Sequence, residues 1–181
     1  DFTVQNLLLR KKVEALCTAD DPVDSLVYHK QFATQKAGFR MFPTFRPDKS
    51  FGVENLANYR SYLDKLSASS GISIKKFDDL LQALQNRVEA FHQMGCRASD
   101  HGLEHLYYHA DAEQQADRLF TKLLSGTSLD AQEVFLFKSA VLVNLSRMYH
   151  AKGWVQQFHL GALRNNNTRR LRELGPDTGF D

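Results

Sequence analysis

His159 and Arg164 stand five positions apart in the stretch Trp154 to Asn167, WVQQFHLGALRNNN. An imidazole exchanges a proton near neutral pH. A guanidinium offers two parallel charge-assisted hydrogen bonds to an anion. Trp154, Val155 and Phe158 form a buried-strand pattern, and Gly161 lets the backbone turn closely after it. A histidine and an arginine at that point fall where parallel α/β proteins collect their chemistry. The bland alternative is a histidine satisfied in a core and an arginine capping a loop. Ionisable residues follow three other strand patterns in the same way: Asp20 and Asp21, then Arg46, then Asp100 with His101.

The elements that must position these residues alternate along the chain. Phe2 to Lys12 reads as a short helix with Thr3 as its cap and cations at its end. Val13 to Thr18 is a brief strand stopped by Asp20, Asp21 and Pro22. Asp24 to Gln35 is helical, and Gly38 to Phe45 is a second strand in which Pro43 removes one ladder donor. Glu54 to Met94 carries two helical stripes, Leu56 to Leu66 and Phe77 to Phe91, interrupted at Ser67 to Ser73. Gly95 to Gly102 is a third strand with its turn, followed by helices over Ala112 to Leu124 and Leu129 to Ala151, with Asp130 near the second start. The fourth strand precedes His159, and Asn167 or Thr168 caps a last helix over Arg169 to Leu174. Helical insertions over about 54–94 and 111–151 therefore separate the later strands within a single segment. Strands and helices in this alternation predict a parallel sheet with right-handed crossovers. Four such strands make either an open sheet or an arc of a closed barrel.

Composition narrows the function classes. The chain has 181 residues, 43% hydrophobic and 24% charged, with 23 basic against 21 acidic residues, which is an ordinary globular profile. A net charge of +2 argues against broad nucleic-acid or membrane binding. No apolar run approaches the roughly 18 residues of a membrane span, and a cytoplasmic location is expected. Cys17 and Cys96 have no metal-ligand spacing and are read as free thiols. The chain starts at Asp1 and stops just past a Gly-Pro-Asp-Thr-Gly turn, so an internal excerpt is expected. His29, His92, His105, His109 and His150 lie on helical or loop segments and are expected to be solvated, and His101 is expected to be structural.

Five separated motifs then carry a resemblance: TADDPVDSL (Thr18 to Leu26), PTFRPDK (Pro43 to Lys49), GCRASDHGL (Gly95 to Leu103), GWVQQFHLGALRNNNTR (Gly153 to Arg169) and LGPDTGFD (Leu174 to Asp181). In this order they closely resemble the uronate isomerase family, also called glucuronate isomerase, of the metal-dependent amidohydrolase-like barrels. The resemblance implies an α/β fold, a partial (β/α)8 TIM-barrel segment at about strands 2 to 5. It implies aldose-ketose isomerisation of D-glucuronate to D-fructuronate and of D-galacturonate to D-tagaturonate. That chemistry moves a proton through an enediol and needs a base, a polariser and a grip on the distal carboxylate. The family's site maps onto Asp100 and His159 as catalytic residues and onto Arg46 and Arg164 as substrate-binding residues. The implied cofactor is a divalent metal, zinc being the expected ion. Its His-x-His pair and late aspartate fall outside this sequence, so no metal ligand is assigned here. The expected partners are a small-molecule uronate and further copies of the protein, with no nucleic acid and no membrane.

Two other readings compete. Arg164, Arg169, Arg170 and Arg172 could form a basic helix for nucleic acid, but no aromatic stacking platform accompanies them. The chain could also be a non-catalytic structural fragment, since a typical barrel takes about 250 residues. The excerpt alone is expected to be inactive.

Overall fold

A computed structural model describes residues 2–176, 178 and 179. Asp177, Phe180 and Asp181, which belong to the last motif quoted above, lie outside the described residues. The elements run α1 (Val4–Arg10), β1 (Ala15–Asp20), α2 (Val27–Ala33), β2 (Arg40–Phe45), α3 (Leu56–Ser70), α4 (Phe77–Gln93), β3 (Ala98–Leu103), α5 (Ala112–Ser125), α6 (Ala131–Ala151), β4 (Val155–Leu160) and α7 (Thr168–Leu174).

Helix ends follow local chemistry. The Thr3 hydroxyl accepts from the Asn6 amide at the start of α1. Asp130 and Glu133 form a reciprocal capping box at the start of α6. Gly71 ends α3 with φ of 73°, a left-handed conformation that costs glycine nothing. In α4 the apolar spacing buries Phe77, Leu80, Leu84, Val88 and Phe91 on one side.

All four strands are parallel and their spatial order, β1-β2-β3-β4, is their chain order. Sequential parallel strands joined by right-handed crossovers put the connecting helices on the same side of the sheet. Phe45 of β2 accordingly packs edge-on against Phe91 of α4 and near Tyr149 of α6 and Trp154. Deeper in the helical layer, Phe137 stacks on Phe120 at 6.1 Å and meets Tyr59 and Phe77 edge-on. The opposite sheet face is open at both flanks, where Cys17, Ala19, Val155, Gln157 and His159 are exposed. An arc cut from a barrel has this asymmetry.

The seam between β2 and β3 is narrow, a single residue pair, Phe45 with Ser99, against six pairs between β1 and β2. The Arg40 and Arg46 amides donate to Glu14 and Asp20 on the β1 side. Amides alternate in direction along a strand, so the odd positions of β2 face β3. Pro43, which has no N–H, is one of them.

Four expectations are corrected. The first strand begins at Ala15 and ends at Asp20, because its edge pairs in full register with β2 up to Phe45. The third strand runs on through His101 and Gly102 to Leu103, so Asp100 and His101 sit inside it and not in a turn beyond it. The fourth strand is an exposed edge and not a buried strand. Val155 is 68% exposed, because it lies on the open face and, among the described residues, no fifth strand pairs with β4. His29 is also buried, with its Nε2 2.7 Å from the Thr18 hydroxyl, since α2 folds back over β1.

Two outcomes are expected. Phe137→Ala should lower unfolding free energy by about 3–5 kcal/mol in urea titrations, whereas Val155→Ala on the open face should cost less than about 1 kcal/mol. Ellman's reagent should react with one thiol in the native chain and two in denaturant. Cys17 is exposed, and burial pushes the Cys96 thiol up to about 11.

Candidate active site

Strand alternation sorts the ionisable residues between the two sheet faces. Asp100 and Gly102 of β3 share a face with Gln157 and His159 of β4, directly opposite them in the register. Arg46, the residue after β2, joins them from the other side. The His159 Nδ1 lies 2.6 Å from Asp100 Oδ1, and Arg46 Nη1 donates to Asp100 Oδ2 at 3.3 Å. A carboxylate only accepts, so His159 Nδ1 donates in this bond and Nε2 is left for other partners. Gln157 Nε2 is 3.3 Å from that nitrogen. Asp100 is buried, whereas the His159 side chain is half exposed at the mouth of the site.

A second carboxylate backs the first. Asp48 opens a single 3-10 turn, Asp48–Ser50, two residues beyond Arg46. Its Oδ2 accepts from Arg46 Nε at 3.2 Å and from the Gly102 amide at 2.8 Å. Its Oδ1 is 3.2 Å from His101 Nδ1. Burial by itself would raise the Asp48 carboxyl, but His101, the Gly102 N–H and Arg46 together outweigh it and hold it below the usual carboxylate range. Gly102 leaves room for Arg46 Nη2, which a Cβ at this position would push aside.

β4 closes onto β3 through the Gly161 amide, which donates to the Leu103 carbonyl at 2.8 Å while Gly161 takes φ of 61°. That turn carries Arg164 back to the strand ends. The result is a cavity of about 260 Å³ lined by Arg46, Leu103, Glu104, His159, Gly161 and Arg164. Glu104 accepts from the Tyr107 hydroxyl at 2.8 Å, which keeps its carboxyl below the ordinary range. Two larger concavities, of about 570 Å³ beside Lys49 and Tyr62 and about 510 Å³ beside Arg147 and His150, lack the hydrogen-bonded Arg46, Asp100 and His159, so chemistry and not volume selects the smaller one.

Arg46, Asp100 and His159 are thus one hydrogen-bonded chain, and Arg164 lines the same cavity. His101 faces the other way. It is buried among Phe51, Tyr149 and Phe158 on the helical side. Asp20 also turns away, accepting from the Thr18 hydroxyl at 2.6 Å, and Asp21 is held by Tyr62 at 2.9 Å and Lys49 at 3.2 Å. Sequence reasoning missed the part played by Asp48. The available signal was the Arg46 and Asp48 charges two residues apart, just past a strand, in the quoted Arg-Pro-Asp.

Among the described residues no three His, Cys, Asp or Glu side chains gather as a metal site. Asp100 and His159 are directed at each other, and a cation would need donors from outside these residues. No described helix is long and apolar enough to cross a membrane.

The family model for glucuronate isomerase matches residues 1–181. The uronate isomerase of Phocaeicola vulgatus is 46% identical over 183 residues, a match that covers 100% of this chain and 39% of that protein. The uronate isomerase of Bacteroides thetaiotaomicron is 47% identical with the same coverage. In structure, the Thermotoga maritima uronate isomerase superposes with a TM-score of 0.87 at 36% identity, over 98% of this chain and 39% of that one. The glucuronate isomerase of Caulobacter crescentus gives 0.85 at 27% identity, over 99% of this chain and 37% of its own. The chain spans about two fifths of the length of these relatives. Its motifs, its one-sided parallel arc and the full extent of the family match agree: this chain belongs to the glucuronate isomerase family.

Proposed function

We propose that the intact protein interconverts D-glucuronate with D-fructuronate, and D-galacturonate with D-tagaturonate, by proton transfer through an enediol. The observation that carries this reading is the chain Arg46–Asp100–His159 at a cavity that Arg164 also lines. It sets an imidazole beside guanidinium groups, which suits a sugar with a carbonyl at one end and a carboxylate at the other. The relatives that match along this chain are named uronate or glucuronate isomerase.

Each residue then has a task. His159 holds or delivers a proton at the substrate oxygen through Nε2. Asp100 orients that ring through Nδ1 and anchors Arg46 with its other oxygen. Arg46 and Arg164 bind the substrate carboxylate. A divalent cation, with zinc the first candidate, belongs to the same proposal. Its ligands would come from other parts of the intact protein. The same reading places the enzyme in the cytoplasm, assembled as a homo-oligomer and binding neither nucleic acid nor membrane. Helical insertions within one barrel domain remain part of it.

The 181-residue chain alone should not turn over either uronate, because one sheet face is open and only part of the cavity wall is present. Conversion by the purified chain would refute that half, leaving the structural-fragment reading without support. In the intact enzyme His159→Gln should lower kcat by about 10²–10⁴-fold, the usual range for a lost acid-base group. Arg164→Ala should raise KM for glucuronate at least about tenfold with a smaller effect on kcat. An intact, metal-loaded enzyme that converts neither uronate overturns the proposal.

A further inference from the structure

An arginine side chain is long and flexible, so a grip on a carboxylate needs its planar fork held in one direction. In this structure Arg46 is held from behind by Asp48, and Asp48 is itself immobilised. Its Oδ1 meets the ring of His101, which is fully buried and flanked by Phe158 at 5.4 Å and Tyr149 at 5.8 Å. Its Oδ2 takes the Gly102 amide and Arg46 Nε. With Nε fixed, Nη1 reaches Asp100, and Nη2 lies over Gly102, where only a missing Cβ leaves room. Asp48 does not line the cavity that holds His159 and Arg164; Arg46 does.

We propose that Asp48, clamped by His101 and the Gly102 amide, is a positioning residue that aims the Arg46 guanidinium at the substrate carboxylate. The inference rests on the function proposed above, and Asp48 acts only through Arg46. Both clamping groups come from β3: the His101 ring from the helical side and the Gly102 amide from the strand edge that faces β2. A charged Asp48 suits the task because two of its three donors are an arginine and a histidine. The competing role is a structural staple that ties the loop after β2 to β3 without any bearing on substrate.

The test uses the intact enzyme. Asp48→Asn should raise KM for glucuronate about tenfold while kcat stays within about threefold. In an Arg46→Ala background the same substitution should add less than about twofold, because its target is already gone. An unchanged KM, or an equal loss in both backgrounds, overturns the proposal. If Asp48→Asn does not fold, Gly102→Ala tests the same aim with Asp48 intact. Its methyl group must displace Nη2 and raise KM, and a wild-type KM in that variant is equally fatal. A readout independent of turnover separates the two readings: the Arg46 Nε–H resonance, identified by its loss in Arg46→Lys, should be slowly exchanging and should lose that protection in Asp48→Asn, or in Gly102→Ala if the former is unfolded. Should wild-type enzyme prove inert on uronates, the function proposal falls, and persistence of the resonance's protection would still count against Asp48.

Discussion

Two carboxylates, Asp48 and Asp100, hold together the ends of three strands that the backbone ladder joins unevenly. Between β2 and β3 the ladder amounts to one residue pair, and Pro43 withholds a donor on that side. The deficit is met at the strand ends by side chains: Arg46 to Asp100, and Asp48 to the Gly102 amide and His101. Each acceptor is charged and mostly withdrawn from water, so each of these bonds exceeds an ordinary neutral hydrogen bond in strength. Removing one carboxylate would leave arginine and amide donors without acceptors, which is the expensive way to break such a network. The same bonds that close the seam set the geometry of the site.

The sheet separates stability from chemistry by alternation alone. Phe45, Ser99 and His101 point into the helical layer, while Arg46, Asp100 and Gly102 point the other way. Neighbours in sequence therefore serve different purposes, and His101 shows the boundary being used. Its ring is packed as a core residue, yet its Nδ1 reaches round the loop to Asp48. The imidazole that works in the site is His159, on the edge strand, where one nitrogen is taken by Asp100 and the other faces the opening.

The open face accounts for the contrast between core and flank. The helical layer is closely packed, with Leu66, Leu80, Phe91, Phe120 and Phe137 fully buried, whereas β1 and β4 leave alternate residues in water. Unpaired strand edges of this kind seek further strands. An arc with its connecting helices on one side has the strand order and the polar strand ends for a barrel to be completed around them.

Much of this was legible in the sequence because it depends on local rules. Helical spacing marked α4 and α6, Asp130 marked the start of α6, and the strand-helix alternation implied a parallel sheet. Charges at strand ends brought Arg46, Asp100 and His159 forward before any contact was known. Strand boundaries were less legible, since Asp20, His101 and Gly102 look like turn residues until a neighbouring strand pairs with them. The face taken by each residue, the exposure of Val155, the burial of His29 and the clamp of Asp48 on Arg46 depend on partners 11 to 54 positions away or on a missing neighbour. Periodicity determines that a residue alternates with the next one. Only tertiary pairing decides which of the two sides is the core, because that depends on where the helices pack.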